Sequence, residues 1–252
     1  LADYRDLAAP ALPVKALYLL TGLGSQAVMV FFVLSGLFVG GSILKSGERF
    51  RPGEYAVARL TRLWVVLLPA LAVTFVMDEV VSIFAPEALQ GAYYGLWHSG
   101  PSTDQSYSLS AWTLLGNVFF IHTILTPVFG TNGPLWSLAN EFWYYATFPL
   151  LAYAVGSCGR SKPRLGRVAA GVFGVAILSF LPDDMLSGCL VWLMGVAVYI
   201  VGRGLSCRKR PLAGIATFVL FAASIAYTKS GVAQAAIGIP GNYVVGGGFS
   251  LF

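Results

Sequence analysis

Residues 62–83 read RLWVVLLPALAVTFVMDEVVSI. A helix that crosses a bilayer needs about 20 mostly apolar residues, and this stretch supplies them behind a basic residue. No other Lys or Arg follows from Leu63 to Gly159. The rest of the chain has the same character. Of its 252 residues, 57% are hydrophobic and only 11% are charged, where a soluble domain carries about 25% charge. The mean hydropathy of +0.74 agrees. A fold so poor in charge has too little to cover a water-facing surface. The composition therefore excludes a disordered chain, a secreted disulfide scaffold and an ordinary cytosolic enzyme, and implies an integral membrane protein.

Outward from this segment, complete spans are predicted at roughly 25–44, 62–83, 136–156, 167–182, 185–202 and 211–228. A seventh begins near Tyr243 and reaches the chain end at Phe252. The fold class expected is all-α: a polytopic transmembrane bundle with six complete spans and part of a seventh. The net charge of +5 would suggest a nucleic-acid partner in a soluble protein. Here the cations cluster instead. Lys45, Arg49, Arg51, Arg59 and Arg62 lie between the first two spans. Arg160, Lys162, Arg164 and Arg167 follow the third, and Arg203, Arg208, Lys209 and Arg210 follow the fifth. The opposite loops hold only Arg5, Lys15 and Lys229. Positive charge marks the cytoplasmic side, so the three basic loops are expected inside and Leu1 outside.

That alternation decides an ambiguous segment. Residues 111–128, AWTLLGNVFFIHTILTPV, are apolar enough to cross, but a crossing would put the basic loop 160–167 outside. A re-entrant or interfacial helix in the outer leaflet is expected instead, within the long loop 85–134. Tyr93, Tyr94, Trp97 and Trp112 suit an interface. With Leu1 outside, one further span is expected ahead of it, so that residues 1–252 form a single membrane-embedded domain that is incomplete at both ends.

An ionisable group inside a membrane is costly and marks a functional candidate. Glu141 is the clearest. Ser137, Glu141 and Tyr144 or Tyr145 recur at helical spacing and share a face, which has to look into the bundle or a wet cavity. A purely structural polar knot between helices is the competing account. Arg59 and Arg62, three residues apart, also share a face, where the chain enters its second span. Planar guanidiniums suit phosphate, while simple anchoring of the span at the interface is the plainer account of the pair taken alone. Ser35 precedes Gly36 within an apolar run. As a nucleophile it would need a histidine in reach, and the only histidines, His98 and His122, fall in the outer loop region, so close helix packing is the expected role. Asp183 and Asp184 read as solvated turn residues. Gly246–Gly248 lack the context of a phosphate loop. Cys158, Cys189 and Cys207 lack metal-ligand spacing, and no metal is expected.

Three motifs in order then carry a resemblance. They are Phe31-Phe32-Val33-Leu34-Ser35-Gly36; Ala58-Arg59-Leu60-Thr61-Arg62-Leu63-Trp64 with Pro69; and Asn132-Gly133-Pro134-Leu135-Trp136-Ser137-Leu138-Ala139-Asn140-Glu141 with Tyr144, Tyr145 and Pro149. Their order and spacing resemble the acyltransferase 3 family of multi-pass membrane O-acyltransferases, by motif over residues 25–155 and by hydropathy beyond. The resemblance implies an enzyme that moves an acyl group, acetyl foremost, from acyl-CoA to a hydroxyl of a carbohydrate or glycolipid, in a bacterial inner membrane. It places acyl-CoA at Arg59 and Arg62 as a donor substrate, with no bound cofactor. It makes Glu141 and Ser137 candidates for catalysis and Trp136, Tyr144 and Tyr145 candidates for binding the acceptor. Membrane lipids are the other expected partners, and nucleic acid is not one. The family's catalytic histidine, on its first span, has no match here; its place would fall ahead of Leu1.

On this reading Glu141 lies about 15 residues from the cytosolic end of its helix. At ~1.5 Å per residue that is roughly 22 Å of depth in a core of ~30 Å. Direct contact between Glu141 and Arg62 is not expected; they mark two ends of one path. A glycan transporter would instead show inverted halves and broken helices, which the sequence lacks. A non-catalytic scaffold would use Glu141 only as a packing knot.

Overall fold

The structure is a computed structural model and describes residues 24–91, 107–159 and 164–203. The expected span 211–228, the partial one from Tyr243, Tyr93, Tyr94, Trp97, His98, Cys207 and Gly246–Gly248 lie outside these residues. Among the described residues all regular structure is helical, apart from one isolated bridge between His122 and Thr126.

The helices are α1 (Gly24–Ser35), a π turn over Gly36–Gly40, α2 (Gly41–Ser46), α3 (Pro52–Phe84), α4 (Pro86–Leu89), α5 (Ala111–Val118), α6 (Trp136–Ala154), α7 (Arg164–Phe180) and α8 (Asp183–Gly202). Three stretches are long and apolar enough to cross a membrane: Gln26–Arg49, Pro52–Phe84 and Asp183–Gly202. They coincide with three of the expected spans. Helices α6 and α7, of 19 and 17 residues, occupy the expected positions 136–156 and 167–182.

Helix α3 shows why this chain is a membrane protein. Leu63, Leu67, Leu71, Thr74 and Asp78 are its buried residues and recur at helical spacing. Its other sides are also apolar and exposed, including Val65, Val66, Val73, Val76 and Ile83. A helix that is apolar all round, yet open on most of its surface, is dressed for lipid. It begins at Pro52, where proline's missing N–H costs nothing in the first turn, ten residues before the expected span.

Helix α5 is shorter than the expected 111–128. Ser110 caps its start, accepting from the Thr113 amide at 3.2 Å, and the helix stops at Val118. Phe120 and Thr123 then take positive φ of 58° and 66°, which ends right-handed winding. The segment is built inside out. Thr113, Gly116 and Asn117 are buried, while Trp112, Leu115, Phe119 and Leu125 are exposed. Eight residues rise only about 12 Å, so α5 is too short to cross.

The chain divides into two compact units: Leu1–Leu23 with Glu54–Trp143, and Gly24–Gly53 with Tyr144–Phe252. In the first, Asn117 holds the turn after α5. Its amide nitrogen donates to the carbonyls of Thr113 (2.8 Å) and Pro127 (3.1 Å), and its oxygen accepts from the Phe129 amide (3.1 Å). In the second, α1 and the π turn press against α8. A Cβ at Gly36 would run into the Trp192 carbonyl, and one at Gly195 into the Val33 carbonyl. Each glycine makes room for the other helix's backbone, as small residues do between membrane helices.

Candidate functional site

The first unit holds the basic pair and the buried carboxyl. Arg59 and Arg62 stand on successive turns of α3, the first half-buried and the second exposed. The Arg59 guanidinium lies 5.7 Å from the centroid of the Tyr55 ring, a cation–π distance. Just beyond them, Trp64 donates its indole N–H to the Val118 carbonyl at 3.0 Å. Its ring stacks on Phe120, with centroids 6.5 Å apart. Phe120 stacks in turn on Phe142 of α6, 4.7 Å away and within 10° of parallel. Phe142 is the neighbour of Glu141, and Trp143 donates to the Phe120 carbonyl at 2.9 Å. One aromatic ring thus joins the turn after Arg62 to the turn of Glu141. The link is indirect and runs through a loop residue wedged between α3 and α6.

Glu141 is buried, 1% exposed, beside the equally buried Asn140. Ser137 and Trp136 open the same helix and are half-buried. The Ser137 hydroxyl donates to the Pro134 carbonyl at 2.9 Å, a local bond that closes the first turn of α6. In the second unit, Tyr144 and Tyr145 are buried. Tyr144 donates to the Met185 carbonyl at 2.7 Å. Tyr145 shares a hydrogen bond with the Ser35 hydroxyl at 3.0 Å, which also accepts the Trp192 indole N–H at 3.0 Å. Ser35 is therefore a buried joint between α1, α6 and α8, as the packing account expects.

Two polar residues of the first unit gain a definite place. Asp78 on α3 is 2% exposed. Its carboxylate accepts the Thr131 amide at 2.8 Å and the Thr131 hydroxyl at 2.6 Å. One turn earlier, Thr74 accepts from the Asn132 side chain at 2.9 Å. Thr74 and Asp78 together fix residues 131–132, immediately ahead of the single turn Gly133–Leu135 that leads into α6. The sequence did carry a signal for Asp78: a carboxyl in an apolar run is costly unless bonded. The same carboxylate bears on Tyr107, whose hydroxyl is pushed up to about 12 by burial first and then by the charges of Asp78 and Glu79.

His122 is completely buried. A carbonyl only accepts, so the 2.9 Å contact from Nε2 to the Leu135 carbonyl puts the proton on Nε2. Burial lowers its pKa below the usual value, against the opposing pull of the Leu135 and Gly116 carbonyls. The ring is neutral at pH 7 and braces the start of α6. Among the described residues no cluster of His, Cys, Asp and Glu could hold a metal ion.

A family model described as an acyltransferase domain matches residues 6–250. No curated protein and no solved structure matches the chain.

Proposed function

The chain belongs to the acyltransferase 3 family, and from that premise we propose that it transfers an acyl group, acetyl foremost, from acyl-CoA to a hydroxyl of a carbohydrate or glycolipid. Membrane acyl transfer is the family's kind of function; the donor, the acceptor and the residue roles are our reading. The observation that carries it is the stack of Trp64, Phe120 and Phe142, which couples the arginine-bearing turn of α3 to the carboxyl-bearing turn of α6 within one unit.

In this reading Arg59 and Arg62 hold donor phosphates through charge-assisted hydrogen bonds. The acceptor hydroxyl attacks the thioester carbonyl and gives up its proton to a base. A tetrahedral oxyanion forms, the C–S bond breaks, and the CoA thiolate leaves and takes a proton. The work required is deprotonation and oxyanion stabilisation. Glu141 either orients the base or binds the acceptor's hydroxyls, and Ser137, Trp136, Tyr144 and Tyr145 complete the acceptor side. We place the protein in a bacterial inner membrane, with the basic loops, and so the donor, on the cytoplasmic side and 111–128 in the outer leaflet.

The test is transfer of labelled acetyl from acetyl-CoA into envelope glycans by membranes containing the full-length protein at matched levels. Arg59→Ala or Arg62→Ala is expected to lower kcat/KM about ten- to a hundredfold, since each phosphate bond is worth about 1.5–3 kcal/mol. Lysine should rescue only in part, being a point charge without a fork. Glu141→Gln keeps shape and some hydrogen bonding but no charge, and is expected to lose most transfer while inserting normally. Near-normal transfer by Glu141→Gln would reduce Glu141 to a packing element.

A further inference from the structure

The second unit carries two cavities that share one side chain. The smaller, about 250 Å³, is polar and is lined by Glu48, Tyr153 and Arg167 over the turn Gly156–Gly159. The larger, about 620 Å³, runs between α6 and α7 and is lined by Ala154, Val155, Val168 and Gly171, with Arg164 and Arg167 at its end. Arg167 belongs to both. Its Nε donates to the carbonyl of Ala154, the last residue of α6, at 3.1 Å. Its remaining nitrogens lie over Gly156, at φ +78°, where a Cβ would strike them. The glycine therefore holds the guanidinium at the boundary between the polar cavity and the apolar groove. Among the described residues no ion pair joins Arg167 to Glu48, so opposite charges line one cavity without neutralising each other. Leu165, Val168, Val172 and Phe173 are exposed along α7, which gives the groove a lipid-facing flank.

We propose that this place binds a phospholipid of the phosphatidylethanolamine class. The phosphate lies at Arg164 and Arg167, the ammonium enters the polar cavity towards Glu48, and one acyl chain occupies the groove between α6 and α7. A soluble phosphate would leave the apolar groove empty, and a plain hydrocarbon would leave both guanidiniums unused. An amphiphile fills both cavities. Glu48 sets the headgroup, because a carboxylate beside the phosphate site favours a zwitterion over a headgroup with no positive charge. A groove of this volume is of the size that buries a small ligand, and the guanidinium fork suits a phosphodiester. Arg164, Arg167 and Glu48 are exposed, so the polar part of the binding weakens with salt. The inference rests on the membrane location of the chain and not on acyl transfer, so the two proposals fail separately.

The experiment is native mass spectrometry of the purified full-length protein in detergent, titrated with phosphatidylethanolamine, phosphatidylglycerol or acetyl-CoA. Wild type should retain phosphatidylethanolamine over phosphatidylglycerol. Arg164→Ala with Arg167→Ala should lower that retention about tenfold or more, the order of a lost charge-assisted bond, whereas Arg167→Lys, a point charge without the fork, should keep part of it. Glu48→Gln should bind both lipids alike. If the double alanine variant does not stay monodisperse, Val168→Trp, which fills the groove and leaves the charges alone, should lower retention instead. Unchanged retention in whichever of these folds would overturn the site. So would a wild-type preference for phosphatidylglycerol. Displacement of the lipid by acetyl-CoA, lost in the same variants, would assign the cavities to the soluble donor.

Discussion

Among the described residues of the first unit, Asp78 and Glu141 are buried carboxyls. Asp78 has two donors from Thr131, so its role is to clamp residues 131–132 against α3. Removing it by Asp78→Ala leaves an amide and a hydroxyl without an acceptor. With such bonds worth about 1.5–3 kcal/mol each and water replacing them in part, the expected loss of stability is about 2–4 kcal/mol. Asp78→Asn, which keeps an acceptor oxygen, should lose less; thermal midpoints in detergent compare the two. His122 gives a pH signature. Its folded pKa lies below the value of a free histidine, so protonation favours the unfolded chain. Its contribution is complete above about pH 6.5 and is lost as pH falls through that value towards the folded pKa. His122→Gln can keep a donor for the Leu135 carbonyl without titrating, and the midpoint between pH 8 and 5 should fall less in that variant. Of these residues the sequence singles out Glu141, because tryptophan, serine and tyrosines surround it at helical spacing. For Asp78 the sequence signals only a carboxyl in an apolar run and not its partners, which lie more than fifty residues along the chain with no periodicity to relate them.

At the scale of elements, three stretches among the described residues are long and apolar enough to cross a membrane and coincide with expected spans, and α6 and α7 lie at two further expected positions. The segment 111–128 illustrates what length and composition leave open. Its apolar residues fit a helix, yet α5 stops at Val118 because Asn117 satisfies three backbone groups of the turn and Phe120 adopts a left-handed backbone. An asparagine that rescues a loop and one that merely sits in a helix look the same in sequence. The crossing of α1 with α8 is the sharper test. Gly36 and Gly195 each face a backbone carbonyl of the other helix, and a carbonyl cannot swing aside as a side chain can. Gly36→Ala or Gly195→Ala should force the helices apart and lower stability by about 1–3 kcal/mol, the usual range for overpacking. Gly53→Ala, which meets nothing, should leave the midpoint near wild type. Fluorescence-detected size exclusion after heating measures all three.

For the whole molecule, membrane character is legible at once from 11% charge, and the helical class with it. The division into two units is not, since it cuts α6 between Trp143 and Tyr144, in the middle of a continuous helix where composition does not change. Orientation remains a matter of charge: the basic loops predict that a cysteine at Lys162 is shielded from an impermeant thiol reagent in intact cells and one at Asp104 is labelled, in a background without native cysteines. The reverse pattern would invert the topology. The π turn at Gly36–Gly40 bears on the chain's length. It holds one residue more than the α-helix needs between the two groups that face α8, Ser35 and Gly36 on one side and Gly40 and Gly41 on the other. Deleting that residue would restore ordinary winding but swing one group about 100° away from α8. Insertions and deletions, which loops absorb, are therefore barred from the middle of this helix, and descendants of this chain can change in length at its turns but not there.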